Sequence, residues 1–240
     1  MSSSPAAPEP YVVEDCRGVM QLMSDGTVRR STEPAFTVEI QDDADCGVEW
    51  KDVTWEPEHG LNARLCRPRL LGAANDARMP VVAYFHGGGF CIGSRRWPSF
   101  HACCLRLAAE LPAAVLSFDY RLAPEHRLPA AQEDGGKDMS WLQGATRDHP
   151  AINPAGPQAP GLEAVEMAPM LVVAGERDVL MERNAEYARR MKEEWGKDVE
   201  YVMLAGVEHG FFNRAPWSER ADEFVWLVRR FVVEHMMDSE

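Results

Sequence analysis

A glycine-rich turn is the part of this sequence whose residue types most clearly suggest chemistry. It reads His-Gly-Gly-Gly-Phe at residues 86–90 and directly follows an apolar, β-branched run at residues 81–85. Consecutive glycines let the backbone turn sharply and point bare N–H groups at one place. An acyl-transfer transition state carries its negative oxygen at such a place. The turn is therefore predicted to form part of an oxyanion hole, with the donors Gly87, Gly88 and Gly89 and with His86 supporting the loop.

An acid and a histidine follow two later apolar runs. Asp178 comes after residues 170–174, and His209 comes after residues 199–204. Open α/β sheets place their sites at the carboxyl ends of parallel strands, so both side chains are predicted to lie near the glycine turn. In such a pair the acid orients the imidazole, which takes a proton from a nucleophile. The alternatives are that Asp178 caps the helix beginning near residue 182 and that His209 is a solvent-facing loop residue.

The sequence lacks the nucleophile that this arrangement requires. A nucleophilic serine normally lies on a Gly-x-Ser-x-Gly elbow between a strand and a helix. No such pattern occurs in the 240 residues. Ser94, Ser99 and Cys91 follow the glycine turn, but none is predicted to occupy a strand–turn–helix elbow. We predict that none of them replaces the serine, because a nucleophile must lie within about 3 Å of its base.

The elements that must position these residues alternate between buried strands and helices. Continuous apolar runs, separated by segments of helical spacing, predict a mostly parallel sheet covered on both faces. Alternating segments between residues 11 and 66 predict an antiparallel meander at one edge. The predicted strands cover residues 81–85, 113–118, 170–174 and 199–204, and the predicted helices cover residues 100–111, 132–142, 182–195 and 219–236.

One connection is too long for a compact α/β domain. Residues 143–169 contain five prolines and three glycines in 27 residues, and they show no strand pattern. Structureless connections of this length are uncommon inside compact domains. The interval is therefore the place where the regular alternation breaks down.

Other conspicuous side chains receive structural interpretations. Glu125 is predicted to tie down a loop. The six cysteines show neither a metal-ligand spacing nor a disulfide pattern, so reduced thiols are expected. Cys103 and Cys104 fall in a helical run and are predicted to pack in the core. The apolar face of the last helix is also predicted to lie in the core, with Trp226, Leu227 and Phe231.

Four motifs occur in the order of one known family. They lie at residues 84–90, 119–130, 169–178 and 208–212, and residues 145–154 add a weaker match. Together they resemble the plant carboxylesterase branch of the hormone-sensitive-lipase-like α/β-hydrolases, over nearly the whole chain from Tyr11 onward. The resemblance implies an α/β-hydrolase-type sheet with flanking helices that hydrolyses carboxylic esters through a serine acyl-enzyme. It implies no cofactor and no metal, with Asp178 as the triad acid and His209 as the base.

The departure from this family is as specific as the match. Its members carry the serine elbow between the helix after residue 120 and the Asn-Pro stretch, whereas here Leu142 runs almost directly into Gly144. The resemblance implies that two central strands and their helices are missing. An internal in-frame excision is our hypothesis for the origin. The strand at residues 81–85 then needs a new neighbour in the sheet, for which residues 170–174 are the candidate. Because the sheet has lost its central strands, we also expect the chain to be only marginally stable.

Two other interpretations of function stay open. One is that the chain is a non-catalytic protein that binds a small molecule. The other is that it is a splice or gene-model product without a retained role. The gibberellin receptors resemble these esterases but lack the catalytic histidine and have an N-terminal helical lid. This chain keeps His209, and its first ten residues do not predict a lid, so the receptor interpretation is weak.

Composition limits the partners. The net charge of −13 argues against nucleic acid and anionic membranes, because phosphate attraction requires clustered Lys and Arg. Neither a signal peptide nor an apolar run of membrane-spanning length is visible, so a cytoplasmic protein is expected. Residues 1–10 are predicted to form a disordered arm and residues 11–240 one internally truncated domain. The expected partner is a small-molecule ester, without an obligate protein partner.

Overall fold

The computed structural model of this chain describes residues 9–16, 18–31, 46–69, 80–135, 163 and 165–236. The strands are β1 (Val12–Cys16), β2 (Met20–Met23), β3 (Val28–Arg30), β4 (Val48–Glu56), β5 (Leu61–Pro68), β6 (Val81–Phe85), β7 (Ala114–Phe118), β8 (Met170–Gly175) and β9 (Val199–Leu204). The helices are α1 (Pro98–Glu110), α2 (Ala130–Gly135), α3 (Met181–Glu193), α4 (Phe211–Arg214) and α5 (Glu219–Met236). Most of the predicted N-terminal arm, the end of the predicted helix at residues 132–142 and the junction at residues 142–144 lie outside the described residues.

The described strands form three sheets. β1, β2 and β3 make an antiparallel meander, as predicted, but β4 and β5 do not continue it: they belong to a second sheet with the order β4-β5-β7-β6, because β5 pairs with β7. β8 and β9 form a third, two-stranded sheet. The pairs β6–β7 and β8–β9 are parallel, whereas the other described pairs are antiparallel. The α/β fold class is confirmed, and the strands before the glycine turn, Asp178 and His209 all belong to parallel pairs.

The expected re-pairing of β6 with β8 is wrong. β6 ends the four-stranded sheet, and β8 pairs with β9 alone among the described strands. The Val81 and Phe85 side chains on β6 are 62% and 45% exposed. A cavity of about 370 Å³ lies between Tyr84 of β6 and Val173 of β8. The two strand edges therefore face a gap, at the place where the motif order implies missing strands.

Helices rather than strand pairing join the two sheets. The main core cluster combines Cys103 and Cys104 of α1 with Val115 of β7 and with Phe212 and Val225 of the C-terminal helices. Another cluster packs Leu227 of α5 against β8 and β9. The cysteine pair is thus in the core, as predicted. Because α5 contacts both clusters, its burial links the oxyanion-loop half of the molecule to the half that carries Asp178 and His209.

The α5 face predicted to lie in the core is correct only in part. Leu227 is buried, but Trp226 is 60% exposed. The Trp226 ring has the guanidinium of Arg230 at 5.7 Å from its centroid, a contact that a solvent-facing indole can make. The interpretation of Trp226 as a core residue is therefore wrong, since successive helical positions point about 100° apart and only one of two neighbours faces the core.

The last turn of α3 shows how local sequence ends a helix. Met191 of α3 and Trp195, two residues beyond its end, are both buried and pack in one cluster. Gly196 then takes φ +62°, the left-handed conformation that glycine adopts at little cost. The N–H of Lys197 donates to the carbonyl of Met191 at 2.9 Å. This is the closing pattern of a helix that ends on glycine, and it orients the chain into β9.

None of the described helices combines the length and the apolar character that crossing a membrane would require.

Candidate active site

The carboxylate of Asp178 and the imidazole of His209 are in direct contact. The distance between Asp178 Oδ2 and His209 Nδ1 is 2.9 Å. The Asp178 side chain is 9% exposed and the His209 side chain 67% exposed. A carboxylate only accepts hydrogen bonds, so the proton is assigned to Nδ1, which donates a hydrogen bond to Asp178. A neutral His209 then has its other nitrogen, Nε2, free to take up a proton.

The second oxygen of Asp178 holds the loop that follows β8. Asp178 Oδ1 accepts the N–H of Leu180 at 2.8 Å. Leu180 is the residue that flanks α3, and its own side chain makes no capping bond. The alternative that Asp178 is the N-cap is therefore wrong, although its carboxylate does organise the approach to the helix. One carboxylate oxygen thus accepts a hydrogen bond from its own loop, and the other contacts His209.

The loops after β8 and β9 are joined by hydrogen bonds. The N–H of Glu176 donates to Leu204 at 2.9 Å, and the N–H of Arg177 donates to Val207 at 2.9 Å. The carboxylate of Glu176 accepts the N–H of Gly206 at 2.7 Å. These bonds fix the spacing between the two loops, and thereby the spacing between the acid and the histidine that they carry.

The backbone of the glycine turn is one that only glycine adopts easily. Gly88 has φ +132° and Gly89 has φ +59°. A Cβ atom on Gly88 would lie 1.9 Å from the carbonyl oxygen of Ile92, so no side chain fits there. Among the described residues, no acceptor meets the N–H groups of Gly88 and Gly89. Their backbone donors are therefore available to an anionic oxygen.

His86 lies beneath the turn and holds it. It is 3% exposed, and its ring stacks on Tyr120 with 4.4 Å between centroids. His86 Nδ1 lies 2.9 Å from the carbonyl oxygen of Gly87, and the Tyr120 hydroxyl donates to the His86 carbonyl at 2.6 Å. Burial lowers the pKa of His86, so its neutral form is favoured. His86 thus contacts both the turn, at Gly87, and Tyr120 after β7.

Arg30 of β3 is a positioning residue that the sequence did not reveal. Its Nη1 donates to the carbonyl of Cys91 at 2.5 Å, and its Nη2 donates to the carbonyl of Ala123 at 2.6 Å. Its guanidinium also pairs with Glu125, and this hydrogen bond lowers the pKa of that carboxyl group. Glu125 does tie down a loop, as predicted. No local pattern could identify Arg30, because its partners lie 61 to 95 residues away.

The two residues that flank the three glycines line a different cavity from the Asp178–His209 pair. His86 and Phe90 border a cavity of about 310 Å³, whereas Asp178 and His209 border the 370 Å³ cavity between β6 and β8. The expectation that all three features meet in one site is therefore fulfilled for the acid and the histidine alone. The turn and the pair flank the gap instead of sharing one enclosed pocket.

None of the three substitute nucleophiles reaches His209. The Ser94 hydroxyl donates to Asp119 at 3.2 Å, and Ser99 is 1% exposed within α1. Cys91 is held through its carbonyl by Arg30. None of the three lines the cavity that His209 borders. The described residues thus place no serine or cysteine at the imidazole.

A cluster with three potential metal ligands lies away from this region. Among the described residues, Glu56, Glu58 and His59 bring ligand atoms within 4.8 Å of one another. The Glu56 carboxylate accepts the N–H groups of Glu58 and His59, each at 2.8 Å. These bonds stabilise the turn between β4 and β5, which accounts for the cluster without an ion.

Replacing Gly93 by alanine is expected to destabilise the protein, because the new methyl group would clash with His86 beneath the glycine turn. Gly93 has φ +115°, and a Cβ atom there would lie 2.3 Å from Nδ1 of His86. We expect a loss of about 3 kcal/mol or more in the free energy of unfolding, measured by urea denaturation. Gly206→Ala is the matched control, since Gly206 has φ +72° and open space around it. A loss for the control as large as that for Gly93→Ala would contradict the clash.

Known proteins with similar sequences are α/β hydrolases, in agreement with the acid–histidine pair and the glycine turn. The profile of the alpha/beta hydrolase fold family matches residues 82–145 and 138–213, as two segments. Probable carboxylesterase 6 of Arabidopsis thaliana is 37% identical over 143 residues, which are 58% of this chain and 41% of that protein. The 2-hydroxyisoflavanone dehydratase of Glycyrrhiza echinata is 34% identical over 125 residues, 52% of this chain and 37% of that protein.

Solved structures with a similar fold include esterases. The hyperthermophilic esterase of the archaeon Pyrobaculum calidifontis superimposes with a TM-score of 0.60 at 25% identity, over 76% of this chain and 82% of that one. The matches to the two plant relatives span about two fifths of the length of each relative. The family profile covers more than half of this chain. The chain belongs to the alpha/beta hydrolase fold family, and within it this chain is similar to plant carboxylesterases.

Proposed function

We propose that this chain retains the acid, the base and the oxyanion turn of a carboxylic ester hydrolase without the serine that would form an acyl-enzyme. The observation that carries the proposal is the 2.9 Å contact between Asp178 and His209. In serine esterases the histidine takes the proton of the serine, and the acid stabilises the imidazolium that forms. The N–H groups of Gly87, Gly88 and Gly89 would bind the negative oxygen of the tetrahedral intermediate.

Without the serine, this arrangement is a poor catalyst. His209 has only water to activate, and loss of a triad member leaves a residual acceleration of about 10³–10⁴ over the uncatalysed reaction. Part of the oxyanion hole is lost as well, since one of its donors is the N–H that follows the serine. We therefore infer that ester hydrolysis by this chain is strongly impaired.

The break in the family match supports an internal truncation. The family profile matches in two segments that overlap at residues 138–145, a stretch that contains the junction of Leu142 and Gly144. The gap between β6 and β8 is consistent with the loss of strands at that point. We propose residues 11–240 as one truncated domain, a small-molecule ester as the ancestral substrate, and the cytoplasm as the location.

The test is hydrolysis of p-nitrophenyl acetate by the purified chain beside its His209→Ala and Asp178→Asn variants. We expect rates within about twofold of one another, because no serine acyl-enzyme forms. A fluorophosphonate probe is expected to label a full-length plant carboxylesterase and to leave this chain unlabelled. Turnover that His209→Ala removes, or labelling of this chain, would overturn the proposal.

A further inference from the structure

Two histidines from distant parts of the chain meet at the turn between β4 and β5. His59 lies in this turn, and His126 lies in the loop between β7 and α2. Their ring centroids are 6.1 Å apart, and the ring planes are inclined at 88°. Both residues are exposed. The hydrogen bonds within the turn account for the carboxylate of Glu56, but they do not account for the second imidazole that faces the turn.

The hydrogen bonds around this pair leave imidazole nitrogens available. His59 Nδ1 lies 2.9 Å from Glu56 Oε2. A carboxylate on one ring nitrogen favours the tautomer in which the other nitrogen has a free lone pair, as it does behind metal-binding histidines. The ring of His126 has no hydrogen bond to any described residue. The pair therefore offers two imidazole nitrogens to a shared ligand.

The spacing of the two rings suits a single metal ion. Zinc binds imidazole nitrogen at about 2.0–2.1 Å, so two rings on one tetrahedral ion have their centres roughly 5 Å apart. The observed 6.1 Å exceeds this spacing by only about 1 Å. The terminal torsion of histidine is broad, so exposed rings can tilt toward a common ion at little cost.

A carboxylate next to His59 can complete the set of ligands. Glu56, Glu58 and His59 bring ligand atoms within 4.8 Å of one another. Glu56 is engaged by the turn and by His59, whereas the carboxylate of Glu58 has no partner among the described residues. Imidazoles together with a carboxylate are typical ligands of zinc, whereas Mg²⁺ and Ca²⁺ prefer sites made of oxygen atoms alone.

We propose that His59, His126 and Glu58 bind a divalent transition-metal ion of the zinc class. Glu56 orients the imidazole of His59, and water completes the coordination. The ion would join the turn between β4 and β5 to the loop before α2. This site lies outside the acid–histidine pair and the glycine turn, so its metal binding does not depend on ester hydrolysis.

The loop that carries His126 also supports the glycine turn. In this loop the N–H of Ala123 donates to the carbonyl of Phe90 at 2.8 Å, and Glu125 is held by Arg30. A metal ion on His126 would give the loop a further attachment, to a hairpin of the second sheet. The ion would therefore stabilise the segment that follows the oxyanion donors.

The test is zinc binding to the full chain, measured by isothermal titration calorimetry. The chain carries Cys16→Ser, because an exposed thiol is itself a zinc ligand. We expect one ion per chain at this site, and both His59→Ala and His126→Ala should weaken its binding by about tenfold or more. Both substitutions replace exposed side chains, so the variants should fold like the parent chain. His209→Ala is the matched control, since it removes an exposed histidine elsewhere and should leave the affinity unchanged.

The outcome for His126 decides between a shared site and binding by the turn alone. No zinc binding, or an affinity that His126→Ala leaves unchanged, would overturn the proposal. Glu58→Gln keeps the size of the side chain and removes the anionic ligand, so it should weaken binding by about tenfold. Glu182→Gln makes the same change on α3 and should have no effect. Equal losses in the two glutamine variants would refute the role of Glu58 as a ligand.

Discussion

Restoring a serine-elbow segment between Leu142 and Gly144 is expected to raise p-nitrophenyl acetate hydrolysis by roughly 10⁴–10⁶-fold. The inserted segment would come from a plant carboxylesterase and would include its two strands and the Gly-x-Ser-x-Gly turn. The gain is large because the other parts are present. Asp178 already holds His209 at 2.9 Å, and the donors of the glycine turn have no competing acceptor among the described residues.

The same insertion is expected to repair the sheet. β6 and β8 each offer one unpaired edge in the described structure, and the two restored strands would pair with these edges. The serine would then stand between the glycine turn and His209; in the present chain the residues that flank the glycines line one cavity and His209 lines another. The oxyanion donors and the base would thereby act on the same reacting carbonyl.

Two controls make this expectation decisive. The same insertion with its serine changed to alanine should fold alike and lose most of the gain, keeping only the part that the restored oxyanion N–H supplies. The insertion with its serine intact but with His209→Ala should lose most of the gain, since the serine then lacks its base. A folded insertion variant that gains nothing, or one whose activity ignores His209→Ala, would contradict the roles assigned to these residues.

The elements that carry chemistry were predictable because their signals are local. Three glycines after an apolar run require a turn at the end of β6, and the structure places it there with positive φ at Gly88 and Gly89. The acid–histidine pairing followed from two neighbouring parallel strands, whose carboxyl ends must lie at the same edge. β6, β9 and α5 also begin and end where the pattern of apolar residues predicts.

Contacts between residues that are far apart in the sequence could not be predicted. Whether β6 finds a new neighbour depends on the geometry of the remaining helices, and α5 packs against both sheets without bringing β6 and β8 into pairing distance. Arg30 is similar, because an arginine in a short strand gives no sign of the carbonyl groups that it will meet. The short helix α4, which follows His209 directly, was also missed, since four residues are too few to show helical periodicity.

The exposed edge of β6 is expected to drive self-association of this chain. Among the described residues β6 pairs on one side only, Val81 is largely exposed and Phe85 is partly exposed. Unpaired strand edges with exposed apolar residues are templates for pairing with another chain. We expect concentration-dependent association in analytical ultracentrifugation and a weakly cooperative thermal transition, in keeping with marginal stability.

Val81→Lys should weaken this association by about tenfold or more, because a charge on an edge strand opposes pairing with another edge. Its effect on the free energy of unfolding should stay within about 0.5 kcal/mol, since Val81 is 62% exposed and loses little packing. Val179→Lys is the matched control, for Val179 is 90% exposed on the loop before α3, away from the β6 edge. If Val179→Lys weakens association as strongly, general hydrophobicity and not the open β6 edge brings the chains together. A parent chain that stays monomeric at all concentrations would instead mean that the β6 edge is covered in solution.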